Sequence, residues 1–158
     1  MKALVVYFSA SGRTKRTGIS LASKLGIDHY EIKPAVLYTR EDLNWRNADS
    51  RSSVEMKNKE ISRPEIIKGD IDLNGYDTIL IGFPIWWYTA PTIVNTFLES
   101  YDFNNKTVIL WATSGSSGLG SSLEDLKKSL PDTATIKEGR MLNNESSIDE
   151  FVKQLKAL

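Results

Sequence analysis

The sequence has no cysteine and a single histidine, His29. The first absence excludes disulfides, thiolate nucleophiles and cysteine metal sites, and the second excludes a multi-histidine metal centre. An excess of either charge is also missing. Twenty Lys and Arg balance twenty Asp and Glu, which leaves no electrostatic case for nucleic acid or an anionic membrane surface as a partner. No apolar run approaches the roughly 20 residues of a membrane-spanning helix. Met1-Lys2-Ala3 leads directly into an apolar run, so no secretory leader is expected and a cytoplasmic protein is. What is present is 158 residues, 41% hydrophobic and 25% charged. That is an ordinary globular composition with enough chain to bury one core. We expect one domain over residues 1–158, with a polar insertion at about 35–69.

Three short runs, Ala3–Phe8, Thr78–Phe83 and Thr107–Ala112, are nearly continuous in apolar residues. That pattern predicts parallel strands covered on both faces. His29–Lys33 alternates polar and apolar residues and suits an edge strand, and a weaker strand is expected near Ala134–Gly139. Helical patterns follow the strands: Thr14–Leu25, Pro91–Ser100, one from Ser121 with Glu124 at capping-box spacing, and one from Ser147 with Glu150 three residues on. Strand and helix in alternation predict a three-layer α/β fold, a doubly wound parallel sheet. In such sheets ligands bind beyond the carboxyl ends of the strands, where the winding reverses. The segment 35–69 interrupts the alternation. It is polar, contains Tyr38, Trp45, Arg51 and Arg63, and is expected to carry a short helix over Ser52–Glu60. Its length marks it as a functional insertion.

Three strand-ending loops carry chemistry. The first, Ser9-Ala10-Ser11-Gly12-Arg13-Thr14, joins a buried strand to a helix. Its hydroxyls, its glycine and the unpaired N–H groups of the helix start make an anion cradle. It lacks the Gly-Lys-[Ser/Thr] ending of a triphosphate loop and the Gly-x-Gly-x-x-Gly of a dinucleotide site, so a terminal monophosphate is the expected ligand. The second, Pro84-Ile85-Trp86-Trp87-Tyr88-Thr89, offers three consecutive aromatics as a platform for a flat heterocycle. The third, Thr113-Ser114-Gly115-Ser116-Ser117-Gly118-Leu119-Gly120, offers backbone N–H and C=O groups at close approach. A phosphorylated planar ring satisfies all three.

These loops resemble those of the flavodoxin family. The first is similar to the family's phosphate loop, of the form [Ser/Thr]-x-[Ser/Thr]-Gly-x-Thr, and the other two stand where the family's ring loops stand. The resemblance covers essentially the whole chain. It implies a five-stranded sheet in the order 2-1-3-4-5 with FMN as cofactor. It implies that Ser9, Ser11, Gly12, Arg13 and Thr14 hold the phosphate, with Ala10 contributing backbone. It implies that Pro84, Ile85, Trp86, Trp87, Tyr88 and Thr89, with Thr113, Ser114, Gly115, Ser116, Gly118, Leu119 and Gly120, contact the isoalloxazine. The chain departs from many flavodoxins in being neutral rather than acidic. It also lacks a glycine in Trp86–Thr89, where the family often has a flexible peptide. The motif Asp42-Leu43-Asn44-Trp45 with Ser50-Arg51-Ser52 looks like a flavodoxin-like subgroup common among bacterial sequences.

No acid–base set and no metal ligand set is visible. His29 reads as a structural or solvated residue of an edge strand, and Glu55–Glu60 as a solvated helix face. Arg51 and Arg63 read as surface ion pairs. Three functions follow. The first is an FMN electron carrier between a reductase and an acceptor protein. The second is an FMN-dependent NAD(P)H reductase of quinone-like or nitroaromatic substrates. The third is a non-redox module that binds a phosphate ligand. The compact chain favours the carrier, as a monomer or weak dimer.

Overall fold

The computed structural model describes residues 2–158; Met1 lies outside the described residues. The elements run β1 (Ala3–Tyr7), α1 (Arg13–Leu25), β2 (His29–Glu31), β3 (Lys33–Pro34), α2 (Arg51–Lys57), β4 (Ile66–Ile67), β5 (Thr78–Pro84), α3 (Thr92–Ser100), β6 (Thr107–Thr113), α4 (Ser122–Lys127), β7 (Thr135–Met141) and α5 (Glu145–Lys156). A short 3-10 turn, Leu73–Gly75, precedes β5. The main sheet has five strands in the order β2-β1-β5-β6-β7, all pairs parallel. With the sheet strands numbered alone, this is the expected order 2-1-3-4-5.

The period of two along each strand separates two cores. Leu4, Val6 and Phe8 join Ile79, Ile81, Phe83, Val108 and Leu110 on the face covered by Ile93, Phe97 and Leu98 of α3 and Leu126 of α4. Val5, Tyr7, Leu80, Ile109 and Trp111 point to the other face, against Leu21 and Ala22 of α1 and Ile148, Phe151 and Leu155 of α5. Both faces are covered, which is why these runs are apolar throughout.

Several boundaries differ from the sequence reading. The last helix begins at Glu145, two residues before Ser147. Its cap is Asn144, whose side chain accepts from the Ser147 N–H while the Ser147 hydroxyl accepts from the Asn144 N–H. Ser121 stands at the N-cap of α4, where the helix was expected to begin, but its side chain makes no capping bond; its hydroxyl donates to Asp125 Oδ2 at 3.0 Å. Pro91 stands at the N-cap of α3, next to its first turn. The strand expected to be weak is seven residues long, Thr135–Met141, with an irregularity opposite Leu110/Trp111.

The insertion leaves the main sheet through β3 and returns through β4, which pair antiparallel. Its helix is Arg51–Lys57, shorter than the expected Ser52–Glu60 and capped by Ser50. Tyr38 ties it to the core. The ring packs edge-on against Phe8 and Trp86, with centroids 5.6 and 5.4 Å away. Its hydroxyl donates to Glu55 Oε1 at 2.6 Å. Arg51 lies over the same ring at 3.7 Å and binds Glu55 Oε2 at 3.0 Å. Burial first, and the Glu55 hydrogen bond second, hold the Tyr38 phenol well above its ordinary pKa. Glu55 is therefore half-buried and paired, not part of a solvated face. Arg63 does pair at the surface, with Glu99 at 2.9 Å.

Candidate functional site

The carboxyl ends of β1, β5 and β6 deliver the three loops to one edge, and hydrogen bonds join them there. The buried hydroxyls of Thr14 and Thr113 lie 2.8 Å apart, linking the start of α1 to the end of β6. Ile85 N–H donates to the Thr113 carbonyl at 3.0 Å, linking the second loop to the same point.

In the first loop, Gly12 takes the left-handed backbone, φ 97°, and α1 starts with no side-chain cap. The Gly12 N–H goes to Ser9 Oγ at 3.1 Å. Among the described residues, no acceptor reaches the N–H groups of Ser11, Arg13 or Thr14. Such N–H groups, together with the helix dipole, favour an anion. The Arg13 side chain is committed elsewhere. It donates to the Ser114 carbonyl and to Asn143 Oδ1, each at 3.1 Å, and Asn143 Oδ1 also accepts from the Ser114 N–H at 2.9 Å. Arg13 thus braces the third loop against the start of α1, while its backbone N–H has no acceptor among the described residues. Asn143 has no place in the sequence reading. Its position after β7, at the same sheet edge, was the available signal.

The second loop is a tight turn. Trp86 and Thr89 exchange both backbone hydrogen bonds, 2.9 and 3.1 Å, and the residues between them have positive φ: 48° at Trp87 and 64° at Tyr88. Two left-handed residues mark the primed hairpin turns, which normally require Gly, Asn or Asp. Here two aromatics hold that shape without a glycine. Their environments differ. Trp86 packs edge-on between Phe8, centroid 5.8 Å away, and Tyr38. Trp87 is 44% exposed and Tyr88 73%.

The third loop clamps this turn. Ser121 N–H donates to the Tyr88 carbonyl at 3.0 Å. Gly120, at φ 57°, makes the approach possible: a Cβ there would overlap the Tyr88 carbonyl oxygen. Asp125 closes the clamp. Its Oδ2 accepts from Thr89 Oγ1 at 2.6 Å, Ser121 Oγ at 3.0 Å and Lys59 Nζ at 3.1 Å. Burial opposes the Asp125 charge, but these donors outweigh it and hold its carboxyl below the usual carboxylate range. Nothing in the sequence distinguishes Asp125 from other helix-surface acids. Within the loop, Ser114 Oγ accepts from the N–H groups of Ser116 and Ser117 at 3.1 and 2.8 Å, so the Ser/Gly-rich run is an ordered turn and not a linker.

Between the turn, the third loop and the insertion lies a pocket of about 430 Å³. Ile85, Trp86, Trp87 and Tyr88 form one wall, Ser116 and Ser117 a second, and Leu43, Trp45 and Ser52 of the insertion a third. The insertion residues are absent from the expected site. His29 is exposed in β2, 3.4 Å from the Tyr7 hydroxyl and apart from all three loops. Among the described residues, no three or more His, Asp or Glu gather to hold a metal, and no helix is long and apolar enough to cross a membrane.

A family model described as flavodoxin matches residues 2–158. A crystal structure from Bacteroides eggerthii, of a protein provisionally classed as a flavoprotein, is 44% identical. It aligns over 99% of this chain and 96% of that one with a TM-score of 0.90. One from Bacteroides uniformis, of the same description, is 46% identical over 98% and 97%, with a TM-score of 0.88. A Lactobacillus acidophilus flavoprotein in complex with FMN shares the fold at 23% identity and a TM-score of 0.68, over 95% of this chain and 97% of that one. Among curated proteins, an uncharacterized NAD(P)H oxidoreductase of Escherichia coli, YcaK, is 27% identical over 64 residues. The match spans 40% of this chain and 28% of that protein.

Proposed function

The chain belongs to the flavodoxin family, and from that premise we propose that it holds FMN across the three loops and passes electrons to a small, flat acceptor. The residues present fit the cofactor. The uncapped start of α1 has N–H groups free for a phosphate, and the exposed faces of Trp87 and Tyr88 stand beside the pocket. Ser9, Ser11, Gly12 and Thr14 would hold the phosphate, with Arg13 and Ala10 contributing backbone. Trp87, Tyr88 and the Ser114–Gly120 backbone would hold the ring. When bound, FMN supplies one- and two-electron transfer. The protein's part is to fix the ring's orientation, through the Asp125-held turn, and to exclude water from one of its faces.

The observation that carries the small-acceptor reading is the third wall of the pocket. A carrier needs only an exposed cofactor edge, whereas here Leu43, Trp45 and Ser52 of the insertion add a wall beside the loops that would hold the ring. The short likeness to an NAD(P)H oxidoreductase points the same way. The net reaction is one quinone, one NAD(P)H and one proton giving one hydroquinone and one NAD(P)+. A carrier remains the second reading. It is favoured by the exposed aromatics Trp45, Trp87 and Tyr88, which suit a protein docking face.

The visible spectrum of the purified protein tests the cofactor, and anaerobic addition of NADPH, without and then with a quinone, tests the reaction. We expect a yellow or FMN-reconstitutable protein that turns over NADPH when quinone is present. A protein that stays colourless with added FMN refutes both redox readings. A yellow protein that accepts electrons only from another flavoprotein is the carrier.

A further inference from the structure

The first turn of α1 carries three cations, Arg13, Lys15 and Arg16, and no acid. That distribution runs against the helix dipole, which is positive at this end. Two of the three are committed. Arg13 donates to the Ser114 carbonyl and to Asn143 Oδ1, and Lys15 pairs with Glu31 at 3.3 Å. Arg16 is exposed, and among the described residues its side chain pairs with no carboxylate and makes no hydrogen bond. It leans back toward the start of the helix, as helical side chains do over the turn before them. Its Nη1 stands 3.4 Å from the point that a Cβ on Gly12 would occupy. The guanidinium therefore rests against the loop whose Ser11, Arg13 and Thr14 N–H groups lack acceptors.

We propose that Arg16 binds the flavin's phosphate and makes the site selective for a doubly charged phosphate monoester. The assignment rests on the reading that FMN is held across the three loops, and it adds a residue to that site. Backbone N–H groups and hydroxyls bring hydrogen bonds without a full charge. A guanidinium brings a full positive charge and a planar fork that fits two phosphate oxygens. Gly12 leaves room for it, since no side chain stands between Arg16 and the loop. A phosphate dianion also offsets three cations placed at the positive end of the helix dipole. Lys15 is drawn to Glu31 on β2 and leaves this part to Arg16. Riboflavin, the same ring without a phosphate, gains nothing from the contact.

The test titrates the full chain with FMN and with riboflavin, following flavin fluorescence, in the parent and in Arg16→Gln and Lys15→Gln. Arg16→Gln should raise the FMN Kd at least about tenfold, the loss of a hydrogen bond to a charged group, with the riboflavin Kd unchanged. Lys15→Gln removes the same charge from the same turn and should weaken FMN far less. Raising salt from about 0.05 to 0.5 M should weaken FMN in the parent and do so less in Arg16→Gln, because screening acts on the contact that the variant lacks. Urea unfolding of the FMN-free protein supplies a readout apart from binding. Arg16→Gln should be at least as stable as the parent, since it removes a cation from the positive end of a helix. An Arg16→Gln protein that binds FMN as tightly as the parent overturns the assignment. Equal losses for FMN and riboflavin, or equal FMN losses in Arg16→Gln and Lys15→Gln, also overturn it, and so does a less stable FMN-free variant, whose arginine then serves the fold. A parent chain that takes neither flavin overturns the FMN reading beneath it, whereas a parent that takes FMN and a variant that takes it equally well overturn the role of Arg16 alone.

Discussion

Replacing Gly120 by Ala perturbs the site at the contact that fixes the aromatic turn. Gly120 has φ 57°, and a Cβ there would overlap the Tyr88 carbonyl oxygen. Two costs follow. A non-glycine residue in the left-handed region loses about 1–2 kcal/mol. The overlap also forces the third loop away from the turn, which breaks the 3.0 Å bond from Ser121 N–H to the Tyr88 carbonyl and costs about 1 kcal/mol more. The total of about 2–3 kcal/mol corresponds to a fall in Tm of about 4–12 °C for a chain of this size. Gly118→Ala is the matched control: it lies two residues away in the same loop, meets nothing within 4 Å and has no positive φ. It should change stability by no more than about 0.5 kcal/mol. Urea unfolding of the FMN-free protein measures the stability difference, and FMN fluorescence titration measures whether the displaced turn loses the cofactor. If Gly120→Ala and Gly118→Ala prove alike in both assays, the clamp does not hold the turn.

Asp125→Asn should destabilise the turn and weaken FMN binding, because the bonds from Lys59, Thr89 and Ser121 lose their charge-assisted acceptor. The Asp125 carboxyl titrates below its ordinary value of 3.8 in the folded protein. Its stabilisation is therefore full above that value and is lost as pH falls through the lower folded pKa. The acid limb of a stability–pH profile should flatten in Asp125→Asn, and an unchanged limb would refute the assignment. Trp87→Ala should lower FMN affinity or shift the reduction potential with little loss of stability, whereas Trp86→Ala should cost about 2–4 kcal/mol of stability by emptying the space between Phe8 and Tyr38; denaturation and titration of both variants separate the roles. Ser11→Ala combined with Thr14→Ala should weaken FMN by about 2–4 kcal/mol, two hydrogen bonds to a charged group, and unchanged affinity would show the loop misassigned.

The central strands were legible because both their faces are buried, so apolar content alone marks β1, β5 and β6. The edge strand β7 was less so: Lys137, Glu138 and Arg140 interrupt its apolar pattern. α5 was placed two residues late because its first turn is Glu145 and Ser146, polar residues that carry no periodicity. β3 and β4 were invisible, since two-residue strands have no period to detect. The three loops were found by residue type and place. Their bracing was not, because it depends on residues brought in from other elements. Asn143 comes from the β7–α5 connection, Asp125 from α4 and Lys59 from the end of the insertion, and each is unremarkable in its own sequence neighbourhood.

The turn Trp86–Thr89 takes a shape that its residue types do not announce. It has no glycine, yet both Trp87 and Tyr88 adopt left-handed backbone. The cost, about 1–2 kcal/mol for each residue, falls on two side chains that are largely or partly exposed and so recover little of it by burial. The compensation lies outside the turn. The Ser121 N–H holds the Tyr88 carbonyl, and Asp125 holds Thr89. An Asn-Gly pair at 87 and 88 would relieve the strain, but it would remove the two flat faces at the pocket. The chain keeps aromatic surface where glycine-like backbone is required, and it places the glycine opposite, at Gly120, where the supporting loop must come close. A strained, externally braced turn of this kind is the arrangement expected where side-chain identity serves a ligand rather than the fold.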